Sequence, residues 1–147
     1  MYLRLGGMHA LMSFVGSIGT LMKESGLEDI LFQVFGGVPK MLTGKKFPQN
    51  VRALRILAEE TLRVLFENHD FESVDDLTNA LKQISSESKT SKLWVDVIIR
   101  PVFLMMTFTK AEREGDWLLH LRTFRKMLPY FFAAGHVNYA RYGLYYL

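Results

Sequence analysis

The sequence predicts an all-α protein, an irregular bundle of about six to seven helices with at most one short N-terminal strand. Apolar residues recur with the three-to-four-residue period of helices through almost the whole chain. Capping residues and glycines divide this pattern into segments of unequal length. Because Pro101 and Pro129 interrupt the two longest segments, a regular up-and-down bundle is not expected.

The N-terminal part contains one strand-like segment and two predicted helices. A short strand precedes Gly6, and the first helix runs from about Met8 to Lys23 with one apolar side. Its buried stripe comprises Leu11, Phe14, Val15, Ile18 and Met22. A capping box at Ser25 then begins a short second helix, "LEDILFQVF", which Gly36 ends.

The third helix begins after Pro48 and is amphipathic. Its predicted buried stripe comprises Val51, Leu54, Leu57, Ala58, Leu62 and Leu65. Its opposite side is charged and carries Arg52, Arg55, Glu59 and Arg63. Because Glu59 precedes Arg63 by four residues, these two side chains are predicted to pair.

The second half continues the helical pattern with two caps and a kink. Ser73 caps a small helix, and the polar residues 85–92 are predicted to form an exposed loop. A long helix follows, with a kink expected at Pro101. Asp116 caps the next helix, and the aromatic segment 136–147 ends the chain. The predicted centre of the core comprises Trp94, Phe103, Leu104, Trp117, Leu121, Phe124, Leu128 and Phe131.

Composition is that of an ordinary globular domain. With 147 residues, 49% of them apolar and 22% charged, the chain suits one domain that buries roughly two-thirds of its unfolded surface. The absence of cysteine excludes disulfides, thiolate metal sites and cysteine nucleophiles, and it fits an intracellular protein. The apolar stretch from Leu5 to Met22 contains four glycines and several small polar residues, so no membrane-spanning helix is expected.

Two groups of cations are candidates for nucleic-acid contact. The first group spans a turn and the third helix and comprises Lys45, Lys46, Arg52, Arg55 and Arg63. The second group lies on the helix after Asp116 and comprises Arg122, Arg125 and Lys126. Aligned on one face, the two groups would contact phosphates, while a solvated helix surface is the alternative interpretation.

No motif in the chain names a reaction. The histidines His9, His69, His120 and His136 form no pair at the spacing that holds a metal on one side of a helix. The segment "GGVPKMLTGKK" departs from the P-loop pattern, because Lys46 stands where that loop has Ser or Thr. No catalytic residue, metal or cofactor is therefore predicted. The alternative is a hydrolase that uses His120 or His136, since catalytic triads are assembled in space rather than in sequence.

Four strings carry a resemblance to known proteins: "LRLGGMHALMSFVGSIG", "SGLEDIL", "GKKFPQNVRAL" and "AEREGDWLLHLRTFRKMLPYFFAAGHVNYARY". They resemble the C-terminal half of large uncharacterised proteins of animal genomes that are derived from mobile elements and are transposase-like. The resemblance covers nearly the whole chain. In transposases with a ribonuclease-H-like core, a strand often ends in an Asp that binds metal. Gly6 and Gly7 stand at that place here, so no cutting or joining of DNA is expected.

Three functional hypotheses follow from these observations. The first is a helical domain related to mobile-element proteins, without catalytic activity of its own, that retains a contact with nucleic acid. The second is a protein-protein interaction module that docks, or self-associates, through its aromatic C-terminus. The third is the hydrolase just described. The strand-like start and the abrupt aromatic end also predict that the chain is a fragment of a larger protein with exposed apolar surface.

Overall fold

The computed structural model describes residues 6–23, 25–26, 29–30, 47–67 and 70–147. Within these ranges the chain forms helices and turns and no strand, which confirms the all-α class. The helices are α1 (Gly7–Leu21), α2 (Phe47–Leu65), α3 (Val74–Glu87), α4 (Lys89–Trp94), α5 (Arg100–Glu114), α6 (Trp117–Ala133) and α7 (Val137–Tyr146). The predicted strand and nearly all of the predicted second helix lie outside the described residues. No described helix is long and apolar enough to cross a membrane.

The main hydrophobic core is built around α1, which contacts α2, α5 and α6. Every member of its predicted apolar stripe is buried, so this prediction is confirmed. Phe14 of α1 meets Phe131 of α6 edge to face, with ring centroids 5.8 Å apart. Phe108 of α5 and Phe124 of α6 are likewise fully buried. The aromatic rings of α5 and α6 therefore close on α1 from one side, and α2 adds the buried Leu54.

A second, smaller cluster lies between α2, α3 and the segment Val95–Ile99. Its buried members are Phe66, Leu81, Val95 and Ile99. Leu81 is the one buried residue of α3, whose other side chains are exposed or half-buried. The cluster therefore holds α3 by few contacts compared with those that hold α1.

A π turn, Val95–Ile99, joins α4 and α5 into one continuous helix. In this turn the N–H of Arg100 donates to the carbonyl five residues earlier. The next donor in that register would belong to Pro101, which has no N–H, so the carbonyl of Asp96 loses its partner in the helix. The hydroxyl of Tyr130 in α6 donates to that carbonyl at 2.9 Å. The irregularity predicted at Pro101 is therefore a π turn on its N-terminal side.

The exposed loop predicted at residues 85–92 is wrong. Ser88 is the one residue of this range outside a helix, and it separates α3 from α4. Its backbone is extended, and its Oγ accepts the N–H of Ser91 at 3.0 Å. A single serine thus ends one helix and caps the next, so the polar composition of this range reflects exposed helix ends.

The predicted centre of the core is correct for three residues of α6 and wrong at two aromatic positions. Phe124, Leu128 and Phe131 are buried as expected. Trp94, Leu104 and Leu121 are half-buried. Phe103 and Trp117 are 39% and 46% exposed, because the buried side of α5 runs through other positions and Trp117 stands at the first turn of α6. A prediction of burial from size and aromaticity alone is therefore wrong for these two rings.

Candidate functional site

Three cations form a stripe on the exposed side of α6. Arg125 and Lys126 follow Arg122 by three and four positions, so the three side chains share one side of the helix. All three are exposed, and none forms an ion pair with any residue that the structure describes. No Asp or Glu occurs within α6. The stripe therefore presents uncompensated positive charge to solvent.

The positive charge extends into α7. Residues 117–147 contain four Lys and Arg residues and no Asp or Glu, the fourth cation being the exposed Arg141. The other 14 cationic residues precede them together with all 15 Asp and Glu residues. At pH 7 the C-terminal segment is thus formally +4, while the rest of the chain is −1. The positive net charge of the protein therefore comes from the segment that contains α6 and α7.

The cations of α2 lie in a different electrostatic setting. Arg55 lies 3.7 Å from Glu59, which is therefore not the partner of Arg63 that the sequence predicted. Arg63 instead contacts Glu60 at 2.8 Å and Glu67 at 3.7 Å. Arg52 is exposed. Lys45 and Lys46 lie outside the described residues. Acidic side chains thus offset most of the positive charge of α2.

The two predicted stripes are borne by helices that both contact α1. The structure places Arg122, Arg125 and Lys126 together on α6, and Arg52, Arg55 and Arg63 together on α2. A joint surface of the two groups stays a prediction. The two groups differ in their ion pairs. Among the described residues, arginines of α2 pair with acidic side chains, whereas the cations of α6 do not.

The two helices that carry these cations also carry exposed aromatic rings. Tyr145 is 87% exposed and Tyr142 is 58% exposed, both on α7 beside Arg141. Phe132, on the exposed side of α6, is also accessible to solvent. Such rings have no structural role that requires exposure, so they are candidates for contact with a ligand.

α7 is held on α6 by a close backbone approach. A β-carbon at Gly143 would overlap the side chain of Leu128 and lie 3.3 Å from the ring of Phe124. Ala140, one turn earlier, is also buried. Small residues on one side of α7 therefore allow tight packing, and its other side faces solvent with Tyr142 and Tyr145.

The end of α7 is tied to α6 and α5 through His120. The imidazole is 2% exposed, and its Nε2 lies 2.8 Å from Oη of Tyr146. Its Nδ1 lies 2.5 Å from Oε1 of Glu112. Nε2 and the phenol share a hydrogen bond whose direction depends on which ring nitrogen carries the proton. The indole of Trp117 stacks on the imidazole with ring centroids 5.1 Å apart, which explains its position.

The carboxylate of Glu112 also packs against the first turn of α1. A β-carbon at Gly7 would overlap it, so the glycine allows the carboxylate to lie where it does. No side chain caps α1, and its first turn contains no acidic residue. Glu112 therefore supplies negative charge at the positive end of the helix dipole. Through Glu112 and His120, the N-terminus of α1 and the end of α7 belong to one buried network.

This geometry speaks against His120 as a catalytic residue. Both of its nitrogens contact other side chains, and the ring is enclosed by aromatic side chains. His136 is half-buried at the N-cap of α7, and its ring faces that of Phe131 at 6.3 Å. The contacts of both histidines named in the hydrolase hypothesis are therefore those of structural residues. In the described part of the chain, no group of three or more His, Asp or Glu side chains could hold a metal.

An apolar groove of about 420 Å³ lies between α2, α3 and α4. Leu57, Val64, Ile84 and Trp94 provide much of its lining, with Thr61 and Ser91 among its polar groups. The size is that of a small-ligand site, but the described walls carry few polar groups that converge on one point. None of the cations of α6 and α7 is among the residues that line this groove.

Sequence reasoning missed several residues of this surface and its support. Arg141 lies 15 positions after Lys126, yet a count of charge along the sequence isolates the segment without Asp or Glu that contains it. No pattern in the sequence indicated that Glu112 and Tyr146 contact His120. Their contact depends on how α5, α6 and α7 pack, and no local spacing encodes it.

Comparison with known proteins identifies one family. A family model for a domain of unknown function (DUF8702) matches residues 1–75 and 67–147, which together span the chain. No curated protein and no solved structure matches.

Proposed function

Since the chain belongs to the DUF8702 family, to which no function is assigned, we propose a function from its own surface. The protein is a helical module without catalytic activity of its own that contacts nucleic acid through α6 and α7. One observation carries the proposal: residues 117–147 hold four cations and no carboxylate. An exposed, uncompensated cluster of Arg and Lys is the electrostatic footprint of a phosphate-binding surface.

The proposal narrows the set of contact residues. Arg122, Arg125 and Lys126 of α6 form the core of the surface, and Arg141 of α7 extends it. The arginines of α2 are assigned a solvated role, because Glu59, Glu60 and Glu67 neighbour them. Phosphate contacts of this kind supply affinity and position but no sequence specificity.

A relation to mobile-element proteins is part of the same proposal. The supporting observation is the resemblance of the four strings quoted above, and a nucleic-acid contact is the property such a domain would retain. Gly6 and Gly7 in place of an acidic residue support a non-catalytic role. An intracellular site of action follows from the proposed partner and fits the absence of cysteine.

The test is a salt titration of DNA binding by charge variants. The triple variant Arg122→Gln, Arg125→Gln and Lys126→Gln should bind a labelled duplex of about 20 base pairs much more weakly than the wild type. The slope of log K against log salt should fall by about two to three, since each phosphate contact contributes about 0.9. Fluorescence anisotropy at several salt concentrations measures both quantities.

The matched control is the triple variant Arg52→Gln, Arg55→Gln and Arg63→Gln. It removes the same formal charge from an equally exposed helix side. We expect a much smaller loss of affinity and an unchanged slope. Equal losses in the two variants would mean that net charge alone attracts DNA, and a larger loss in the α2 variant would move the site to α2.

A second candidate function is protein docking through the aromatic C-terminus. It is favoured by the apolar side chains that α7 and its end leave exposed, which are Val137, Leu144, Tyr145 and Leu147. The occupant would be a partner protein or a second copy of the chain. The uncompensated charge beside these residues favours the nucleic-acid function as the first candidate.

A further inference from the structure

We infer that the surface of α6 and α7 binds single-stranded nucleic acid, with unpaired bases stacked on the rings of Tyr142 and Tyr145. This inference rests on the proposed nucleic-acid function and names the class of ligand. The cations provide phosphate contacts, and the rings provide platforms for bases. The combination of a basic surface with exposed aromatic side chains is what sequence-tolerant single-strand binding requires.

The two rings are placed for this role by the helix that carries them. Tyr142 and Tyr145 are three residues apart, so they lie on one side of α7 and about 4.5 Å apart along its axis. Arg141 lies next to them in the chain and is exposed. With 87% of its surface in solvent, the side chain of Tyr145 makes almost no contact within the protein. Its ring faces are therefore open to a base.

The platform is also held firmly from behind. Gly143, which lies between the two tyrosines, packs against Leu128 and Phe124. Tyr146, one position after Tyr145, bonds to the buried His120. The exposed rings therefore stand on a helix whose other side is fixed, so the backbone that carries them is ordered before a ligand arrives. Preorganisation of this kind lowers the entropic cost of binding.

The aromatic rings decide between single-stranded and double-stranded ligands. A duplex hides the faces of its bases in the stack and offers phosphates to a convex helix surface, so tyrosine rings on that surface would add little. An unpaired strand exposes base faces and phosphates together. An acidic protein would use the cations but would leave the two phenol rings with no matching group. The pairing of rings with cations therefore favours a single strand.

The experiment measures binding of the full chain to a labelled single strand of about 20 nucleotides and to the same strand annealed to its complement. The variant Tyr142→Leu, Tyr145→Leu removes both rings at exposed positions. It should bind the single strand at least about tenfold more weakly, because two base-ring stacks are lost and each contributes substantially to affinity. Duplex affinity should change by less than about threefold, and the salt slope should stay unchanged.

The matched control is Tyr142→Phe, Tyr145→Phe, which keeps both rings and removes only the hydroxyls. We expect it to bind the single strand like the wild type, and circular dichroism should show that all variants are folded. Loss of binding in this control would overturn stacking in favour of hydrogen bonds from the phenols.

The outcomes separate this inference from the proposed function. If Arg122, Arg125 and Lys126 are required but the leucine variant binds normally, single-strand stacking is overturned and the nucleic-acid function stands. If the wild type binds neither oligonucleotide, both are overturned. If the rings are required only for vesicles of phosphatidylcholine with phosphatidylserine, the surface is a lipid-binding one and the inference fails.

Discussion

At the scale of single residues, Tyr130 shows how a side chain compensates for a backbone defect. Pro101 deprives the carbonyl of Asp96 of a helical donor, and the phenol of Tyr130 replaces it at 2.9 Å. Burial raises the pKa of Tyr130 above its ordinary value of 10.0, and the charge of Asp96 raises it further, while Arg100 acts in the opposite direction. The protonated phenol is the form that donates.

Tyr130→Phe should lower the free energy of unfolding by about 1–3 kcal/mol, because it leaves a partly buried carbonyl without a donor. Above pH 10 the folded state holds the phenol proton more tightly than the unfolded chain does. The stability advantage of the wild type over the variant should therefore be full below that pH and shrink as the pH rises through the raised pKa. Urea unfolding at several pH values measures the difference.

The control is Tyr145→Phe, which removes an exposed phenol from α7. We expect it to change the free energy of unfolding by no more than about 0.5 kcal/mol. A Tyr130→Phe variant as stable as the wild type would show that the carbonyl of Asp96 finds another donor.

At the scale of elements, α3 is a long helix with little tertiary support. Leu81 is its one buried residue, and the cluster to which it belongs has four buried members. α6, by contrast, buries six residues and contacts α1, α5 and α7. Local opening of a helix requires little free energy when few buried contacts are broken, so the helices of this bundle should differ widely in dynamics.

We expect the backbone amides of α3 to exchange with solvent at least about tenfold faster than those of α6, through local opening. Leu81→Ala should accelerate exchange in α3 further and leave α6 almost unaffected. Val74→Ala is the control, because Val74 is 79% exposed and its truncation removes no buried contact. Hydrogen exchange with mass spectrometry gives the rates, and equal protection of α3 and α6 would contradict the expectation.

At the scale of the whole molecule, charge is distributed unevenly between two parts of the chain. The C-terminal segment from Trp117 is formally +4 and the preceding part is −1. Apolar side chains of α7 lie within the positive part. Two copies that meet through α7 would bring like charges together, whereas an anionic partner would not. This distribution bears on the choice between a second copy and nucleic acid as the occupant.

Self-association through α7 should therefore depend on salt in the direction opposite to DNA binding. We expect a concentration-independent monomer at low ionic strength and any growth in size only at high salt, where the repulsion is screened. Sedimentation velocity at two protein concentrations and two salt concentrations tests this. Leu144→Glu should abolish association that runs through α7, and a stable dimer at low salt would favour the docking function instead.

The sequence by itself determined the features that depend on neighbours along the chain. The apolar stripe of α1 and the caps of α3 and α6 at Ser73 and Asp116 follow from three-to-four-residue spacings and local hydrogen bonds. The cationic stripe of Arg122, Arg125 and Lys126 on α6 was also predicted, because cations at helical spacing share one side of a helix whatever surrounds it.

Only the tertiary structure decided which helix sides meet and which charges stay uncompensated. His120 and Tyr146 are 26 residues apart, and their bond exists because α6 and α7 pack closely at Gly143. Phe103 and Trp117 were placed wrongly, since burial depends on the neighbouring helices rather than on the ring. The hydrophobic period states that a helix has a buried side, but long-range packing chooses its partner, and with it the surface left for function.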